Sequence, residues 1–222
     1  MKKMLFLIII SATFFGLTIT SLCLLPNNAK GEVITDPSQL RPHPNIIDFE
    51  QFTAGYPTTP ITNPLVIGDV TFSTEASLYI RDITRYPSNG TEVEGNVLDT
   101  EPDNLPMTIT FSRPLNEVLL GWWDPNYPGN FLRAYNKDNV LLEEVEITDL
   151  GPPHGLWATW IGFRRNSHDI WKLEVVPSQT GPDNYSVDNI MYRTIPVPEP
   201  SLIVLLGISI ASVVGLRRRW KE

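Results

Sequence analysis

Prolines interrupt this chain too often for long α-helices to form. The 222 residues include 20 prolines, and each proline fixes its own φ and lacks the N–H that a helix interior requires. Between the prolines lie short runs in which apolar and polar residues alternate, as in residues 107–111, and Pro, Gly, Asn or Asp bounds each run. This pattern is typical of short antiparallel strands. It predicts an all-β chain folded as an antiparallel β-sandwich.

Two local features refine this prediction. Residues 135–140 predict a hairpin turn in which Asn139 takes a left-handed conformation, because Asn tolerates a positive φ better than most residues. Residues 92–106 are acidic and weak in strand signal, which predicts a surface loop.

The N-terminal segment has the composition of a secretory signal peptide. Two lysines precede an apolar stretch over residues 4–25, and a proline breaks that stretch shortly before Ala29. A basic start, an apolar middle and a small residue at the end are typical of such signals. We expect residues 1–29 to be the signal peptide, with cleavage after Ala29. The alternatives are an uncleaved membrane helix and lipid attachment at Cys23.

The C-terminal segment combines a rigid motif, an apolar run over residues 201–216 and a basic cluster. The motif and the cluster are Val197, Pro198, Glu199 and Pro200, and Arg217, Arg218 and Arg219. An apolar segment beside basic residues is typical of a membrane helix whose basic end stays in the cytoplasm. The run has 16 residues, which rise only about 24 Å, less than the about 30 Å of a hydrocarbon core. The segment therefore predicts either a thin permanent anchor or a signal that is read and removed.

This order of motif, apolar helix and basic cluster resembles the PEP-CTERM sorting signal of exported bacterial proteins. The resemblance implies that the tail, residues 197–222, is recognised by an exosortase, a membrane-embedded cysteine protease. It also implies that the secretion machinery exports the chain and that the inner membrane holds it transiently. The exosortase then removes the tail, which leaves the exported part at the cell surface or in the extracellular matrix. Bacteria with this system make exopolysaccharide, so exopolysaccharide and the biofilm matrix are expected partners.

The two terminal segments leave residues 30–196, the size of one ordinary domain. The only cysteine of the chain, Cys23, lies in the signal, so the domain has no disulfide and must rely on burial for its stability. The domain holds 11 Lys and Arg against 23 Asp and Glu, a net charge of −12. This charge argues against nucleic acid as a partner, because phosphates require clustered basic residues. It favours solubility outside the cell and contact with divalent cations.

The middle of the chain, about residues 45–193, is similar to the jelly-roll domain often found ahead of a PEP-CTERM tail. The similarity rests on an early Asp-x-Glu strand, a Phe-Ser-x-Pro strand, a hairpin and a late Asp-Asn strand. Such domains resemble galactose-binding-like sandwiches, and several relatives of that fold bind sugars. The hairpin departs from the usual pattern, since Asn139 stands where Gly is usual.

Four oxygen-bearing residues form a first candidate site. Asp48 and Glu50 lie two apart and so share one face of the first strand, whereas Asp188 and Asn189 lie on the last strand. The first and last strands of a jelly roll are commonly neighbours, and Ca²⁺ takes about 6–8 oxygen ligands. We therefore expect a structural calcium site that ties the two ends of the domain together. The alternative is that Asp48 and Glu50 are solvated and that Asp188 is a turn or hydrogen-bonding residue.

A cluster of aromatic and polar residues forms a second candidate site. Trp122 and Trp123 must face opposite sides of a strand, so one can fill the core while the other lies exposed or at a rim. Exposed aromatic rings beside carboxylate and amide groups suit sugars. The predicted carbohydrate site comprises Trp122, Trp123, Asp124, Tyr127, Trp157 and Trp160. The alternative is that the large aromatic residues belong to the core.

The sequence carries no recognisable catalytic motif. Its three histidines lack metal-ligand spacing, and it has no Gly-x-Ser-x-Gly elbow, His-Glu-x-x-His helix or phosphate-binding glycine loop. We therefore expect a non-catalytic envelope or matrix protein, a polysaccharide-associated binding or structural module. The alternatives are a secreted carbohydrate-active enzyme of glycoside hydrolase type, since acidic residues are plentiful, and a purely structural surface protein.

Overall fold

The structure, a computed structural model, describes most of the chain between the two terminal segments. The described residues are 30–54, 59–84, 93, 95–125, 127–147, 158–180 and 185–194. The predicted signal helix and the predicted sorting tail with its helix lie outside them. Within the described part, no helix is long and apolar enough to cross a membrane.

The described residues form 13 strands and one short 3-10 helix. In chain order the elements are β1 (Glu32–Ile34), η1 (Pro37–Gln39), β2 (Asn45–Ile47), β3 (Thr59–Pro60), β4 (Leu65–Ile67), β5 (Val70–Thr74), β6 (Ser77–Asp82), β7 (Asn96–Glu101), β8 (Met107–Trp123), β9 (Phe131–Tyr135), β10 (Leu141–Glu146), β11 (Ala158–Arg164), β12 (Ile170–Val176) and β13 (Ser186–Thr194). Every strand pairing is antiparallel. The all-β, antiparallel fold predicted from the sequence is therefore confirmed.

The strands form two layers that share β8. Sheet A has the order β4-β5-β8-β12-β9-β10 and uses the first part of β8. Sheet B has the order β1-β11-β8-β13-β7-β6-β3 and uses the second part of β8. The later part of β13 pairs with β2, and its earlier part pairs with β7.

The burial pattern of β8 shows why one strand can serve both sheets. In its first part, buried residues alternate with exposed or half-exposed ones, because sheet A is covered on one face only. From Leu115 to Trp123 every residue is buried, because sheet B is covered on both faces. Residues 112–114 lie between the two parts, are not buried and include a proline. The strand passes from one sheet to the other at these residues.

The main core lies between the two sheets. Sheet A contributes residues such as Phe72 and Leu173, and sheet B contributes residues such as Trp122 and Val187. Full burial of one large apolar side chain contributes about 1.5–3 kcal/mol. Burial between the layers therefore supplies the stability that a domain without disulfides needs.

Two smaller apolar clusters cover the outer face of sheet B. The first includes side chains from the N-terminal strap, which we define as residues 30–41, and comprises Ile34, Leu40, Leu119 and Trp160. The second comprises Ile83, Val93, Val97 and Trp123. Sheet B is therefore a middle layer, with apolar packing on both sides.

Buried carboxylates hold the N-terminal strap in place. Glu117 on β8 is fully buried and accepts a hydrogen bond from the backbone N–H of Arg41 at 3.1 Å. The same carboxylate lies 2.8 Å from Nε of Arg41 and 3.2 Å from Nε of Arg164. Glu143 accepts a hydrogen bond from the N–H of Gly31. The strap is therefore part of the folded domain from its first residues.

The two local predictions have opposite outcomes. Asn139 has a φ of 59°, and its N–H donates to the carbonyl of Asn136 in the turn between β9 and β10, so the predicted turn is confirmed. The surface loop predicted over residues 92–106 is wrong, because β7 lies there and pairs with both β6 and β13. Its acidic residue Asp99 is buried beside Arg81 of β6, a partner that the composition of the segment does not reveal.

Candidate functional site

The structure places Trp122 and Trp123 on opposite faces of β8, as the sequence predicts. Trp122 packs in the main core and Trp123 in an outer cluster of sheet B, with 0% and 2% of their surfaces exposed. The expectation that one of these indoles lies exposed is wrong, because both faces of sheet B are covered. Trp160 is also buried and packs with the N-terminal strap. None of these three indoles presents a stacking face to solvent.

The remaining members of the predicted carbohydrate site follow β8 or lie outside the described residues. Asp124 directly follows β8, is buried and has a φ of 66°. Tyr127 is half-buried, and its carbonyl accepts a hydrogen bond from the side-chain amide of Asn130 at 2.7 Å. Trp157 lies outside the described residues. Carbohydrate binding by this set stays a prediction.

Only one half of the predicted calcium site lies on a strand. Asp188 and Asn189 lie on β13, which pairs with β2. β2 ends at Ile47, so Asp48 and Glu50 follow it in a turn, and the prediction that they share one face of the first strand is wrong. Glu50 accepts a hydrogen bond from the N–H of Asn96 at 2.7 Å, and Asp188 is buried and accepts one from the Asn189 amide at 3.0 Å. Among the described residues there is no group of three or more His, Cys, Asp or Glu that could hold a metal ion. Calcium binding stays a prediction.

A buried ion pair lies on the same outer face of sheet B as Trp123. Ser186 on β13 is opposite Asp99 on one side and opposite Trp123 on the other. Nε of Arg81 lies 2.5 Å from the Asp99 carboxylate. Burial raises the pKa of Asp99 to about 7, the Arg81 guanidinium opposes this increase, and Asp103 adds to it. The pair links β6 to β7 inside the fold.

The predicted sorting motif lies outside the described residues. Its members are Val197, Pro198, Glu199, Pro200, Arg217, Arg218 and Arg219. β13 ends at Thr194, and only three residues separate it from Pro198. The motif therefore follows the last strand of sheet B almost directly in the sequence.

The outer face of sheet A is accessible to solvent across six strands. The strand register aligns one row of side chains, Val66, Thr71, Thr110, Lys172, Tyr135 and Leu141. It aligns a second row, Ser73, Thr108, Glu174, Arg133 and Glu144. None of these residues is buried. With about 4.8 Å between strands, the first row is about 24 Å long.

Hydrogen bonds fix the polar side chains of this face. Arg133 donates from Nε to Glu144 at 2.6 Å, and its other guanidinium nitrogen lies 3.5 Å from Glu174. The Tyr135 hydroxyl donates to Glu174 at 2.8 Å. The hydrogen bond to Glu144 raises the pKa of Arg133, and partial burial together with the Glu174 contact raises the pKa of Tyr135. At neutral pH the guanidinium is therefore charged and the phenol is neutral.

Three cations of sheet A and its hairpin lie over aromatic rings, within the about 6 Å of a cation–π contact. The distances to the ring centroids are 4.2 Å for Lys172 over Tyr135, 5.4 Å for Lys137 over Trp171 and 5.5 Å for Arg133 over Phe131. The Lys172 ammonium also donates to the Asn139 side chain at 2.8 Å. These contacts order the aromatic rings and the cations together.

The outer face of sheet A combines the kinds of groups that bind sugars. Aromatic rings offer flat apolar surfaces, and hydroxyl, guanidinium and carboxylate groups form hydrogen bonds. The sequence patterns did not point to this face; the aromatic site predicted from them comprises Trp122, Trp123, Asp124, Tyr127, Trp157 and Trp160. The signal that could have found it is the alternation in residues 131–135, which puts Phe131, Arg133 and Tyr135 on the side opposite to the apolar Leu132.

Comparisons with known proteins give distant structural neighbours only. No family model and no curated protein matches the sequence. The fold is similar to the K2 cleaved adhesin domain of Lys-gingipain, with a TM-score of 0.44 and 10% identity over 68% of this chain and 98% of that one. It is similar to the K3 cleaved adhesin domain of Lys-gingipain from Porphyromonas gingivalis, with a TM-score of 0.35 and 11% identity over 72% of this chain and 98% of that one. It is also similar to the enzymatically active domain of tailspike protein 4 from bacteriophage CBA120, with a TM-score of 0.32 and 15% identity over 59% of this chain and 20% of that one.

Proposed function

We propose that this protein is an exported, non-catalytic component of the cell envelope or extracellular matrix that binds polysaccharide. The observation that carries the proposal is the outer face of sheet A, where three aromatic rings lie among ordered cations. The sequence of the terminal segments supports export, because residues 1–29 have the composition of a signal peptide. Jelly-roll connectivity, sorting by an exosortase, transient anchoring in the inner membrane and calcium binding are further parts of the proposal. They rest on the sequence pattern and its resemblances.

A sheet face of this shape suits an extended polymer better than a single sugar. The hydroxyl groups of Thr71, Thr108 and Thr110 lie toward one side of the face, and Tyr135 and Arg133 lie toward the other. A polysaccharide chain that crosses the strands contacts both parts at once, since the first row is about 24 Å long. Because contacts within the protein already order Arg133 and Tyr135, binding costs little further side-chain ordering.

Retention on polysaccharide tests the proposal. The exported protein is purified from its bacterial host and passed over immobilised exopolysaccharide from the same host, and released sugars are measured in parallel. We expect retention without sugar release. Release of sugars would contradict a non-catalytic role and favour a carbohydrate-active enzyme. Neither retention nor release would contradict binding and favour a purely structural surface protein.

Substitution of Trp171 tests the assignment of the face. Trp171→Ala removes a half-exposed ring, and we expect retention on the polysaccharide to fall about tenfold, as for a central aromatic contact of a binding surface. Ile46→Ala is the matched control, because Ile46 is 55% exposed and lies on β2, away from this face. Thermal unfolding of both variants checks that the fold is intact. Equal retention of Trp171→Ala and the natural protein would contradict the assignment.

Sorting is tested separately by mass spectrometry of the mature C-terminus in the host. We expect the last peptide of the mature protein to end before the basic cluster. An intact Lys221-Glu222 end would contradict removal of the tail.

A further inference from the structure

Both ends of the described domain lie at one pole of sheet B. The strand register places Glu32 of β1, Arg164 of β11, Glu117 of β8 and Arg193 of β13 in one row. Because all three pairings are antiparallel, β1 begins at this row and β13 ends there. The row covers three strand spacings, about 14 Å. The chain therefore enters and leaves the domain on the same side.

This pole, which we name the tether pole, holds seven of the 11 Lys and Arg in residues 30–196. They are Lys30, Arg41, Arg113, Lys137, Arg164, Arg165 and Arg193. Arg113 belongs to the pole because β8 changes sheet beside the end of β13, where Leu115 pairs with Thr194. Lys137 belongs to it because its ammonium lies over Trp171, which directly follows Ile170, and Ile170 pairs with Leu115. The rest of an acidic domain therefore contains only four basic residues.

Ion pairs within the domain neutralise four carboxylates of the tether pole, whereas Asp69, which accepts a hydrogen bond from the Tyr192 hydroxyl, lies there without an ion pair among the described residues. The carboxylates that pair with its arginines are Glu32, Glu117, Glu143 and Asp169. Across the residues that the structure describes, no carboxylate lies within ion-pair distance of Lys30, Arg113 or Arg193. Lys30 and Arg113 are exposed, and Arg193 is half-buried. These three cations are available to an anionic ligand.

We propose that the tether pole is a membrane-facing surface that contacts anionic phospholipid headgroups. The inference rests on the proposed function, since it concerns the exported chain before signal cleavage and tail removal, with the apolar runs over residues 4–25 and 201–216 inserted. Four residues separate the first run from Lys30, and six separate Thr194 from the second. Six residues span at most about 20 Å. The length of chain outside the domain therefore keeps this pole close to the bilayer.

Charge favours this orientation over the opposite one. Basic residues are attracted to an anionic bilayer within about a Debye length, about 8 Å at physiological ionic strength. The acid-rich remainder of the domain is repelled by the same surface. The far end of β8 is Trp123, eight residues after Leu115. At about 3.3 Å per residue, Trp123 then lies about 26 Å further from the bilayer than Leu115 does.

Fluorophores at the two ends of the full chain test this orientation. In a Cys23→Ser background, a single cysteine replaces either Asn166, exposed next to Arg165, or Asn104, exposed near the far end of sheet B. The full chain is reconstituted in vesicles of phosphatidylglycerol and phosphatidylcholine that carry a headgroup-linked quencher. The two ends of sheet B lie about 26 Å apart. We therefore expect the label at position 166 to be quenched at least about twofold more than the label at position 104.

Charge reversal tests the headgroup contact itself. Arg113→Glu with Arg193→Glu should lower quenching at position 166 to its value in vesicles of phosphatidylcholine alone. Gln179→Glu is the matched control and should leave quenching unchanged, because Gln179 is exposed and its side-chain amide donates to the carbonyl of Asn104 near the far end of sheet B. About 0.5 M salt should reproduce the loss in the natural sequence, since screening acts without any substitution that could disturb folding.

The outcomes separate this inference from the proposed function. Equal quenching at positions 166 and 104, or quenching that neither charge reversal nor salt changes, would overturn the headgroup contact and leave export and polysaccharide binding untouched. A full chain that does not float with the vesicles would overturn the inference and contradict the membrane-anchored stage of the proposed function as well.

Discussion

Asp99 is a carboxylate held almost without solvent contact. It lies on β7 with 1% of its surface exposed, next to the guanidinium of Arg81. Burial raises its pKa to about 7, Arg81 opposes the increase, and the nearby carboxylates of Asp103 and Glu101 add to it. The folded protein therefore holds a proton at pH values where the unfolded chain, with an ordinary aspartate pKa, has released it.

Because of Asp99, the free energy of unfolding should fall as the pH rises from about 4 to about 7. The folded state binds more protons than the unfolded state in this range, so the free energy of unfolding decreases by at most about 1.4 kcal/mol per pH unit. Asp99→Asn should remove this part of the pH dependence. Urea unfolding of both proteins at about pH 5 and about pH 8 measures the effect. The same pH dependence in both proteins would contradict the role of Asp99.

Among the elements, the β9–β10 hairpin contributes the outermost strands to one side of sheet A. Its turn contains Asn139 with a φ of 59°, a conformation that costs most residues about 1–2 kcal/mol. The Asn139 side chain also accepts a hydrogen bond from Lys172. The turn therefore links hairpin geometry to the position of a cation on the proposed binding face.

Asn139→Ala should be less stable than Asn139→Gly by about 1 kcal/mol. Both variants lose the hydrogen bond from Lys172, so they differ mainly in their tolerance of a positive φ. Thermal unfolding of the two proteins gives the difference. Equal stabilities would argue against a left-handed residue at this turn.

The N-terminal strap is the element that closes one side of sheet B. Ile34 is completely buried in its apolar cluster, whereas the adjacent Val33 is 39% exposed. Ile34→Ala should lower the free energy of unfolding by about 2–4 kcal/mol. Val33→Ala, the matched control, should change it by about 0.5 kcal/mol or less. Urea unfolding measures both, and a small effect at Ile34 would show that the strap is not part of the cooperative fold.

Local chain geometry explains which elements the sequence could predict. The strand over residues 107–111 and the turn at Asn139 were predictable, because alternation and tolerance of positive φ are properties of a few neighbouring residues. β7 was not predictable from its own segment, because Asp99 is stabilised by Arg81 on another strand. The burial of Trp123 was not predictable either, because the side chains that cover it come from other elements.

As a whole molecule, the chain is an acidic sandwich between two apolar segments that leave it at one pole. Both apolar segments carry basic residues on their terminal sides, and basic flanks stay in the cytoplasm. On our proposal, the domain between them is exported. The proposed contacts with polysaccharide, calcium and lipid headgroups all require this location, because each partner is placed beyond the inner membrane.

Thiol labelling in the bacterial host tests this location most directly. The chain with Cys23→Ser and Asn104→Cys carries its only thiol at an exposed position of the domain, and spheroplasts are treated with a membrane-impermeant maleimide. The chain with Cys23→Ser alone is the matched control and should take up no label. We predict that the Asn104→Cys chain is labelled in intact spheroplasts. Labelling only after lysis would place the domain in the cytoplasm and contradict its export.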